Sequence, residues 1–391
     1  YNYTILASMG ILVILLGLVV MAWATRRLIR TMIGVVMPGE SDNLSNLIFS
    51  NLQLSKGPKV VVIGGGTGLS VMLRGLKAKT YNLTAVVTVA DDGGSTGRIR
   101  QDLDIIAPGD LRNCLVALAD KEGLMEKLFA HRFGGSGNLT GHSFGNLFIA
   151  ALIEVLGDVE EAMDATSKVL RVRGKVIPSS AEKLRLNAEM TDGRIVEGES
   201  QIPHAHGKIK RVFTTPEHPR AIQSAVDAIR EADAIVLGPG SLYTSIMPNL
   251  CVPDIVQAVR TSKAPKIYIC NVMTQPGETD DYTVSDHIRA INRQAGGKVI
   301  DFVIANNGDV DPAVLQRYVA HGSHPVMIDK KEVSQTGATL ILSNLINKEN
   351  RATHDTKKLA NVLFDLINAL RTDLSPELLH YYLKRYTFNH R

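Results

Sequence analysis

From Lys59 onward the chain alternates continuous apolar runs with segments of helical spacing. KVVVIGGG is an uninterrupted apolar run that stops at glycines, which is typical of a strand buried on both faces of a sheet. The pattern returns in NLTAVVTVADDGG, DAIVLGPGS, KIYICNV and VIDFVIAN, and helical segments such as SVMLRGL and PDIVQAVR lie between these runs. This alternation predicts an α/β fold with a doubly wound, mostly parallel sheet and helices on both faces.

One stretch breaks the alternation. LNAEMTDGRIVEGESQI places alternating apolar residues around the pair Asp192-Gly193, which is a strong hairpin signal. A small antiparallel β insertion is therefore predicted near residues 175–215.

The first residues of the chain carry a different signal. Ile5–Ala24 contains no charged residue and is long enough to cross about 30 Å of hydrocarbon. Aromatic residues lie at its two ends and arginines follow it: Tyr1, Tyr3, Trp23, Arg26, Arg27 and Arg30. A signal peptide would carry its positive charges before the apolar run, and a core helix of this length is rarely charge-free all round. We predict a transmembrane helix within residues 1–30, a linker over 31–56 and a main domain over 57–391 in the cytoplasm, since basic residues favour the cytoplasmic side.

The charge balance gives little support to a nucleic-acid partner. The 391 residues include 43 Lys and Arg against 39 Asp and Glu, a formal net charge of +4, and no basic tract stands out. Three widely spaced cysteines, Cys114, Cys251 and Cys270, form no zinc-binding pattern, so we expect reduced thiols in the core.

Four loops follow predicted strands, and ligands bind outside the carboxyl ends of strands in an open parallel sheet. The first loop, GGGTG, fits neither the dinucleotide fingerprint nor a Walker loop. It is either a simple tight turn or a turn that lets a ligand approach the backbone. We favour the second, because glycines cost backbone entropy. The candidate binding residues are Gly65, Gly66, Thr67 and Gly68.

The second loop, TVADDGGSTGRIR, carries two adjacent aspartates. They lie about where an acid binds a ribose hydroxyl in a dinucleotide fold, and they could also hold Mg²⁺. The alternative is that they only form a turn. The candidates are Asp91, Asp92, Gly93 and Ser95, while Arg98 and Arg100 either contact phosphate or begin the next helix.

The third loop is GGSGNLTGHSFGNLFIAAL, residues Gly134–Leu152, a glycine- and hydroxyl-rich run that leads into an apolar helix. The start of such a helix offers N–H groups to an anion. His142 is either a proton donor or acceptor or a capping residue, and Ser143 is the second candidate. In the preceding PGDLRNCLVALA, Asp110 is predicted as a helix N-cap and Asn113 is a further candidate.

The fourth loop, GPGSLYTSIMPNL, repeats a glycine turn at a helix start. Gly240, Ser241 and Tyr243 are its candidate binding residues, and Asn271 ends the next strand. The carboxylates that follow either close the site or lie in a solvated loop, which we favour; they are Glu278, Asp280 and Asp281.

Taken in order, the motifs VVVIGGGTGLS, TVADDGGSTGRIR, PGDLRNCLVALA, GNLTGHSFGNLFIAAL, GPGSLYTSIMPN and NVMTQPGET closely resemble the bacterial gluconeogenesis-factor family of the 2-phospho-L-lactate transferase superfamily. The resemblance covers roughly residues 56–389. It implies a Rossmann-like nucleotide-binding core, which in this branch binds UDP-sugars, chiefly UDP-N-acetylglucosamine, and is needed for cell shape and wall synthesis on gluconeogenic carbon sources. It also implies that Thr67, Tyr318 and Arg351 bind the sugar nucleotide.

Two functions follow from this sequence. The first is a non-catalytic regulator that reports UDP-sugar supply to proteins of cell-wall synthesis or regulation, while the N-terminal helix holds it at the membrane. The second is a Mg²⁺-dependent transferase of the phospholactyl type, in which Asp91 and Asp92 bind the metal. A nicotinamide-dependent oxidoreductase is disfavoured by the glycine spacing. Assembly into a homo-oligomer stays open.

Overall fold

The computed structural model describes residues 2–36, 51–120, 123–347 and 351–372. The chain divides into two compact units, Tyr1–Ser55 and Lys56–Arg391. In the first unit a helix, α1, spans Asn2–Val36. Its segment Ala7–Leu28 has a mean hydropathy of 2.4 and no buried residues, so it is long and apolar enough to cross a membrane. The helix runs past the predicted end at residue 30 and through Gly34, since one glycine costs a helix only about 1 kcal/mol. The rest of the predicted linker lies partly outside the described residues.

The described residues of the second unit include ten strands. They are β1 Val60–Gly64, β2 Leu83–Val87, β3 Lys175–Pro178, β4 Arg185–Met190, β5 Ile195–Glu197, β6 Ile209–Thr215, β7 Ala234–Leu237, β8 Lys266–Ile269, β9 Phe302–Asn306 and β10 Thr339–Ser343. Seven of them form one sheet in the order β10-β9-β8-β7-β1-β2-β3, and every neighbouring pair in it is parallel. The predicted α/β fold with a parallel sheet is therefore confirmed.

Helices connect these strands. They are α2 Gly66–Leu76, α3 Gly94–Leu103, α4 Gly109–Leu118, α5 Leu124–Ala130, α6 Phe144–Leu156, α7 Val159–Leu170, α8 Gln223–Glu231, α9 Pro253–Thr261, α10 Val284–Gln294, α11 Pro312–Val319, α12 Lys330–Thr336 and α13 Thr356–Arg371. Shorter helical turns cover Glu199–His204, Leu242–Ile246 and Met247–Cys251.

The centre of the sheet explains the apolar runs in the sequence. Every residue of β1 is buried, and so is every residue of β7. Val62 pairs with Ala85 of β2 on one side and with Val236 of β7 on the other. A central parallel strand with both faces covered has no solvent side, so its sequence is continuously apolar instead of alternating.

The antiparallel insertion is also present, although its predicted start was wrong. A three-stranded sheet has the order β5-β4-β6, and Gly193 closes the β4–β5 turn with a φ of 89°, which glycine adopts without strain. Lys175–Pro178, however, pairs in parallel with β2 and forms the edge of the main sheet. The insertion therefore begins at β4, and the sequence KVIP carries no turn signal that separates the two roles.

The order of the strands fixes where a ligand can bind. The chain moves from β1 outward to β3, and after the insertion it returns to place β7 against the other side of β1. The direction of winding thus reverses between β1 and β7. A crevice forms at such a reversal, outside the carboxyl ends of the strands.

Candidate functional site

A cavity of about 770 Å³ lies at this reversal point. The loops after β1, β2, β7 and β8 line it, together with α11 and the segment between β10 and α13. Of the residues predicted from the sequence, those that line it are Gly66, Thr67, Gly68, Asp91, Gly240, Ser241, Asn271, Tyr318 and Arg351. Another concavity, of about 490 Å³, lies at the amino ends of β1 and β2, which is not where open parallel sheets bind ligands.

The glycine turns after β1 and β7 touch each other at the base of the cavity. A Cβ on Gly68 would lie 2.9 Å from the carbonyl oxygen of Pro239, and a Cβ on Gly240 would lie 3.2 Å from that of Gly65. Gly66 has a φ of 68°, a left-handed conformation that side chains rarely adopt. Glycine is thus required here by the close approach of two backbones.

The two adjacent aspartates point in different directions. Asp91 lines the cavity, and its Oδ1 accepts a hydrogen bond of 2.9 Å from the N–H of Gly93. Asp92 is absent from the cavity lining; its two carboxylate oxygens accept the N–H groups of Glu199 at 3.1 Å and Ser200 at 2.9 Å. Asp92 therefore anchors the antiparallel insertion and brings Glu199 to the cavity. Gly93 likewise does not line it.

The arginines of the same loop hold the loop in place. Arg100 donates to the carbonyls of Asp91 at 3.1 Å and Leu184 at 2.8 Å, while Arg98 donates to the carbonyl of Thr140. Their hydrogen bonds go to backbone carbonyls, and neither residue lines the cavity.

Three carboxylates, Asp91, Asp110 and Glu199, line one side of the cavity, and we call them the acid trio. Burial, reinforced by Asp91, raises the pKa of Asp110 to about 6. Burial and the other carboxylates raise the pKa of Glu199 to about 8, and burial raises that of Asp91. The trio thus holds protons at pH values where isolated carboxyl groups are ionised.

The prediction that Asp110 is the N-cap of its helix is wrong, and Asp110 lines the cavity instead. The helix α4 begins two residues earlier than predicted, at Gly109 with Pro108 as its N-cap, so Asp110 lies in the first turn. From there its carboxylate accepts a hydrogen bond from the backbone N–H of Gly66. Asp110 therefore caps the start of α2 and not its own helix. Asn113, which hydrogen-bonds Asp110 and Arg112, lies behind the cavity lining.

The carboxylates do not form a closed metal site. Throughout the part of the chain that the structure describes, no group of three or more His, Cys, Asp or Glu residues is arranged to hold a metal ion. Both oxygens of Asp92 accept backbone N–H groups, and of the pair Asp91 and Asp92 only Asp91 lines the cavity.

The third loop lies outside the cavity lining. His142 Nδ1 is 3.2 Å from Ser95 Oγ, and Ser143 donates its backbone N–H to the same oxygen. Arg112 donates to the hydroxyl of Ser143. His142, Ser95 and Ser143 are all buried, and their hydrogen bonds join the starts of α3 and α6. Their position is that of structural anchors.

Tyr243 and Glu278 also belong to the interior. The Tyr243 hydroxyl is 2.7 Å from that of Tyr282, and Tyr243 is 2 % exposed. The carboxylate of Glu278 accepts the N–H of Tyr243 at 3.2 Å and the hydroxyl of Thr244 at 3.1 Å, and burial raises its pKa to about 7. The favoured prediction of a solvated loop is therefore wrong for Glu278, which fixes the turn after Ser241.

The end of the cavity beside β8 is less charged. Gln275 donates to Ser241 Oγ at 2.7 Å and lies 3.4 Å from Asn271. A small apolar cluster packs against Tyr318; its members are Val272, Met273, Val314, Ile346 and Ala352. The cavity therefore has glycine turns at its base, carboxylates on one side and an apolar, aromatic end.

Several cavity residues were not predicted from the sequence. They are Arg74, Asp110 in this role, Glu199, Gln275, Asn347 and His354. Gln275 lies within the motif NVMTQPGET and could have been found there. Glu199 and His354 follow no glycine loop at a predicted strand end, and only the fold brings them to the cavity.

Comparison with known proteins identifies close relatives. The family described as 2-phospho-L-lactate transferase CofD matches residues 60–346. A gluconeogenesis factor of Bacillus subtilis is 50% identical over 311 residues, covering 79% of this chain and 98% of its own. A putative gluconeogenesis factor of a Nostoc species is 50% identical over 357 residues, covering 90% of this chain and 78% of its own. The crystal structure of a Bacillus halodurans protein, 48% identical, aligns with a TM-score of 0.77 over 79% of this chain and 99% of that chain.

Proposed function

This chain belongs to the gluconeogenesis-factor family within the CofD superfamily of 2-phospho-L-lactate transferases, and from that membership we propose that it is a non-catalytic regulator that binds UDP-N-acetylglucosamine. The ligand reports the supply of cell-wall precursor, and the liganded protein acts on proteins of peptidoglycan synthesis or its regulation. Such a role makes the protein necessary for cell shape during growth on gluconeogenic carbon sources.

The observation that supports this proposal most is the composition of the cavity. Two glycine turns meet at its base, where the absence of side chains lets a diphosphate approach the backbone closely. Arg351 adds a guanidinium, which can pair with phosphate through two hydrogen bonds. Tyr318 and the small apolar cluster offer a surface on which a base can stack.

The acid trio is compatible with an anionic ligand only while it carries protons or a cation. Its raised pKa values leave Glu199 largely protonated at neutral pH, and Asp110 partly so at slightly acid pH. A protonated carboxyl donates a hydrogen bond to phosphate or to a sugar hydroxyl instead of repelling it.

Calorimetry on the detergent-solubilised full chain tests the proposal. Binding of UDP-N-acetylglucosamine without Mg²⁺, in preference to GDP, NAD and ATP and without turnover, is the expected result. Thr67→Ala and Tyr318→Ala should each weaken binding by at least about 1 kcal/mol, the loss of a hydrogen bond or a stacked ring. Thr191→Ala, an exposed threonine on the antiparallel insertion, is the matched control. Equal affinity in all three variants would place the ligand elsewhere.

The apolar N-terminal helix favours the proposal that the protein is anchored in a membrane. We propose that the charge-free part of Ala7–Leu28 crosses the membrane and that the main domain lies in the cytoplasm, because Arg26, Arg27 and Arg30 follow that part at its C-terminal end. The protein should then stay in the membrane fraction after alkaline extraction. Proteases added outside intact spheroplasts should not cleave the main domain. Cleavage of the main domain would show that it lies on the outer side of the membrane.

The alternative function is a transferase of phosphorus-containing groups. The name of the matched family and the cavity position of Asp91 favour it. Bound Mg²⁺ would neutralise charge on a diphosphate, with Asp91 as its ligand from the chain. Release of a nucleoside monophosphate in the presence of an acceptor and Mg²⁺, abolished by Asp91→Asn, would establish this reaction and reject a purely regulatory role.

A further inference from the structure

The helix α6, Phe144–Leu156, presents an apolar side to solvent. Its sequence FGNLFIAALIEVL contains one charged residue, Glu154. The side opposite its buried residues carries five apolar side chains at helical spacing, and we call them the α6 face: Phe144, Leu147, Phe148, Ala151 and Val155. The first three are half-buried, Ala151 is exposed and Val155 is 79% exposed. The outer side of a helix on a sheet is normally polar, so the α6 face indicates a contact surface.

The neighbouring helix α5 also exposes apolar side chains. The ring of Phe129 in α5 lies 5.0 Å from that of Phe148 and 5.8 Å from that of Phe144, measured between ring centres, so the two helices lie side by side. The exposed apolar residues of α5 are Leu124, Met125 and Leu128, and Leu124 is 80% exposed. Two adjoining helices thus have apolar groups in contact with water.

Opposite charges flank the two ends of the α6 face. The exposed Arg98 and Arg132 both donate to backbone carbonyls of the loop that leads into α6. Arg132 also forms a backbone bridge with Ser143, the N-cap of α6. Four exposed carboxylates lie at the other end of the helix and in the first turn of α7; they are Glu154, Asp158, Glu160 and Glu161. One end of α6 is therefore basic and the other is acidic.

This charge pattern decides what covers the α6 face. An anionic membrane surface would attract the basic end and repel the acidic end. A second copy of the chain, turned by 180° about an axis perpendicular to α6, would bring the basic end of each copy to the acidic end of the other. The dipoles of the two antiparallel helices would also attract each other. The small side chain of Ala151, in the middle of the α6 face, lets two such helices approach closely.

We propose that two copies of this chain pair through the α6 face, with antiparallel helices and a two-fold axis at Ala151. At a rise of 1.5 Å per residue, Ser143 lies about 12 Å from Ala151 along the helix in one direction, and Asp158 lies about 10 Å away in the other. Arg132, which is level with Ser143, is therefore placed beside Asp158 of the second copy. The two-fold axis forms this charge pair twice.

A contact made chiefly by one helix from each copy belongs to the small interfaces that associate weakly in solution. The proposed membrane anchor would confine both copies to one membrane and raise their effective concentration. The pairing should therefore be measured on the full chain in its membrane. The measurement needs no ligand, so its result is independent of the proposed binding of a UDP-sugar.

Disulfide formation in membranes that hold the full chain tests the proposal. Ala151→Cys places an exposed thiol at the proposed axis, whereas the natural cysteines are buried or half-buried. Ala78→Cys, at an exposed alanine that follows α2, is the matched control. On mild oxidation Ala151→Cys should form a covalent dimer at least about tenfold faster than Ala78→Cys, because paired thiols react within a complex. Equal rates, or a disulfide to a different protein instead of a second copy, would overturn the proposal.

Charge reversal in the Ala151→Cys protein tests the antiparallel arrangement. Arg132→Glu should slow dimer formation by about threefold, since it replaces an attractive pair by a repulsive one. Adding Asp158→Arg should restore the rate. Recovery cannot come from better folding, because Asp158 caps α7 and its loss destabilises that helix. A rate that Arg132→Glu leaves unchanged, or that the second change does not restore, would exclude this arrangement.

Discussion

Replacing Glu278 by glutamine should make the protein more stable above neutral pH and leave it nearly unchanged in mild acid. The side chain of Glu278 is buried, with 5% of the residue exposed, and its pKa is raised from 4.5 to about 7 chiefly by that burial. At 1.36 kcal/mol for each tenfold change in proton affinity, the difference corresponds to about 3 kcal/mol. Because the folded state holds this proton more tightly than the unfolded state, its stabilising contribution is complete below pH 4.5 and is lost as the pH rises through 7.

Glutamine cannot ionise, but its amide oxygen can still accept the N–H of Tyr243. Urea unfolding of the full chain in detergent, followed by circular dichroism at pH 5, 6.5 and 8.5, measures the effect. The advantage of Glu278→Gln over the wild type should grow by about 2.5 kcal/mol between pH 5 and 8.5, because a small part of the effect is already present at pH 5. Asp280→Asn removes a nearby exposed carboxylate and is the matched control. An advantage that does not vary with pH would refute the reasoning.

Three further predictions concern the cavity. Gly68→Ala should destabilise the fold by about 1–3 kcal/mol and weaken ligand binding, because its Cβ would lie 2.9 Å from the carbonyl oxygen of Pro239; Gly137→Ala, with nothing within 4 Å, should be neutral in the same urea titration. Asp92→Ala should release two backbone N–H groups and raise hydrogen exchange at Glu199 by at least about tenfold, and unchanged exchange would show that Asp92 is not an anchor. In metal-free buffer the affinity for a UDP-sugar should fall between pH 6 and 9 as the acid trio ionises, so calorimetry that finds a rising affinity would exclude this electrostatic account.

The architecture could be predicted because its signals are local. Burial of β1 on both faces appears directly as a continuous apolar run, and the β4–β5 turn depends on the pair Asp192-Gly193 alone. The glycine turn after β1 could also be predicted, because four glycines in five residues cost backbone entropy and therefore indicate a structural requirement. Gly68 lies against Pro239 and Gly65 lies against Asp110, both remote in sequence, while Gly66 has a positive φ.

Side-chain direction and long-range contact could not be predicted in the same way. Asp91 and Asp92 are adjacent and chemically identical, yet only one lines the cavity, because the other binds the insertion. Tyr243 follows a glycine turn as a binding residue would, but its side chain is buried and its hydroxyl pairs with that of the half-buried Tyr282. Glu199 reaches the cavity only because Asp92 holds the helical turn that begins at Glu199 against the loop after β2. The direction of a side chain and its long-range contacts depend on the packed structure, and no periodic pattern in the sequence indicates them.

The position of β1 between β2 and β7 has a consequence for biosynthesis. When the ribosome has completed the first three strands of the main sheet and the insertion, β1 still presents one unpaired edge of valines and isoleucine. An apolar, unpaired edge is a template for pairing with another chain. The nascent polypeptide should therefore depend on chaperones until β7 emerges, and truncation just before Ala234 should produce material that aggregates even in detergent.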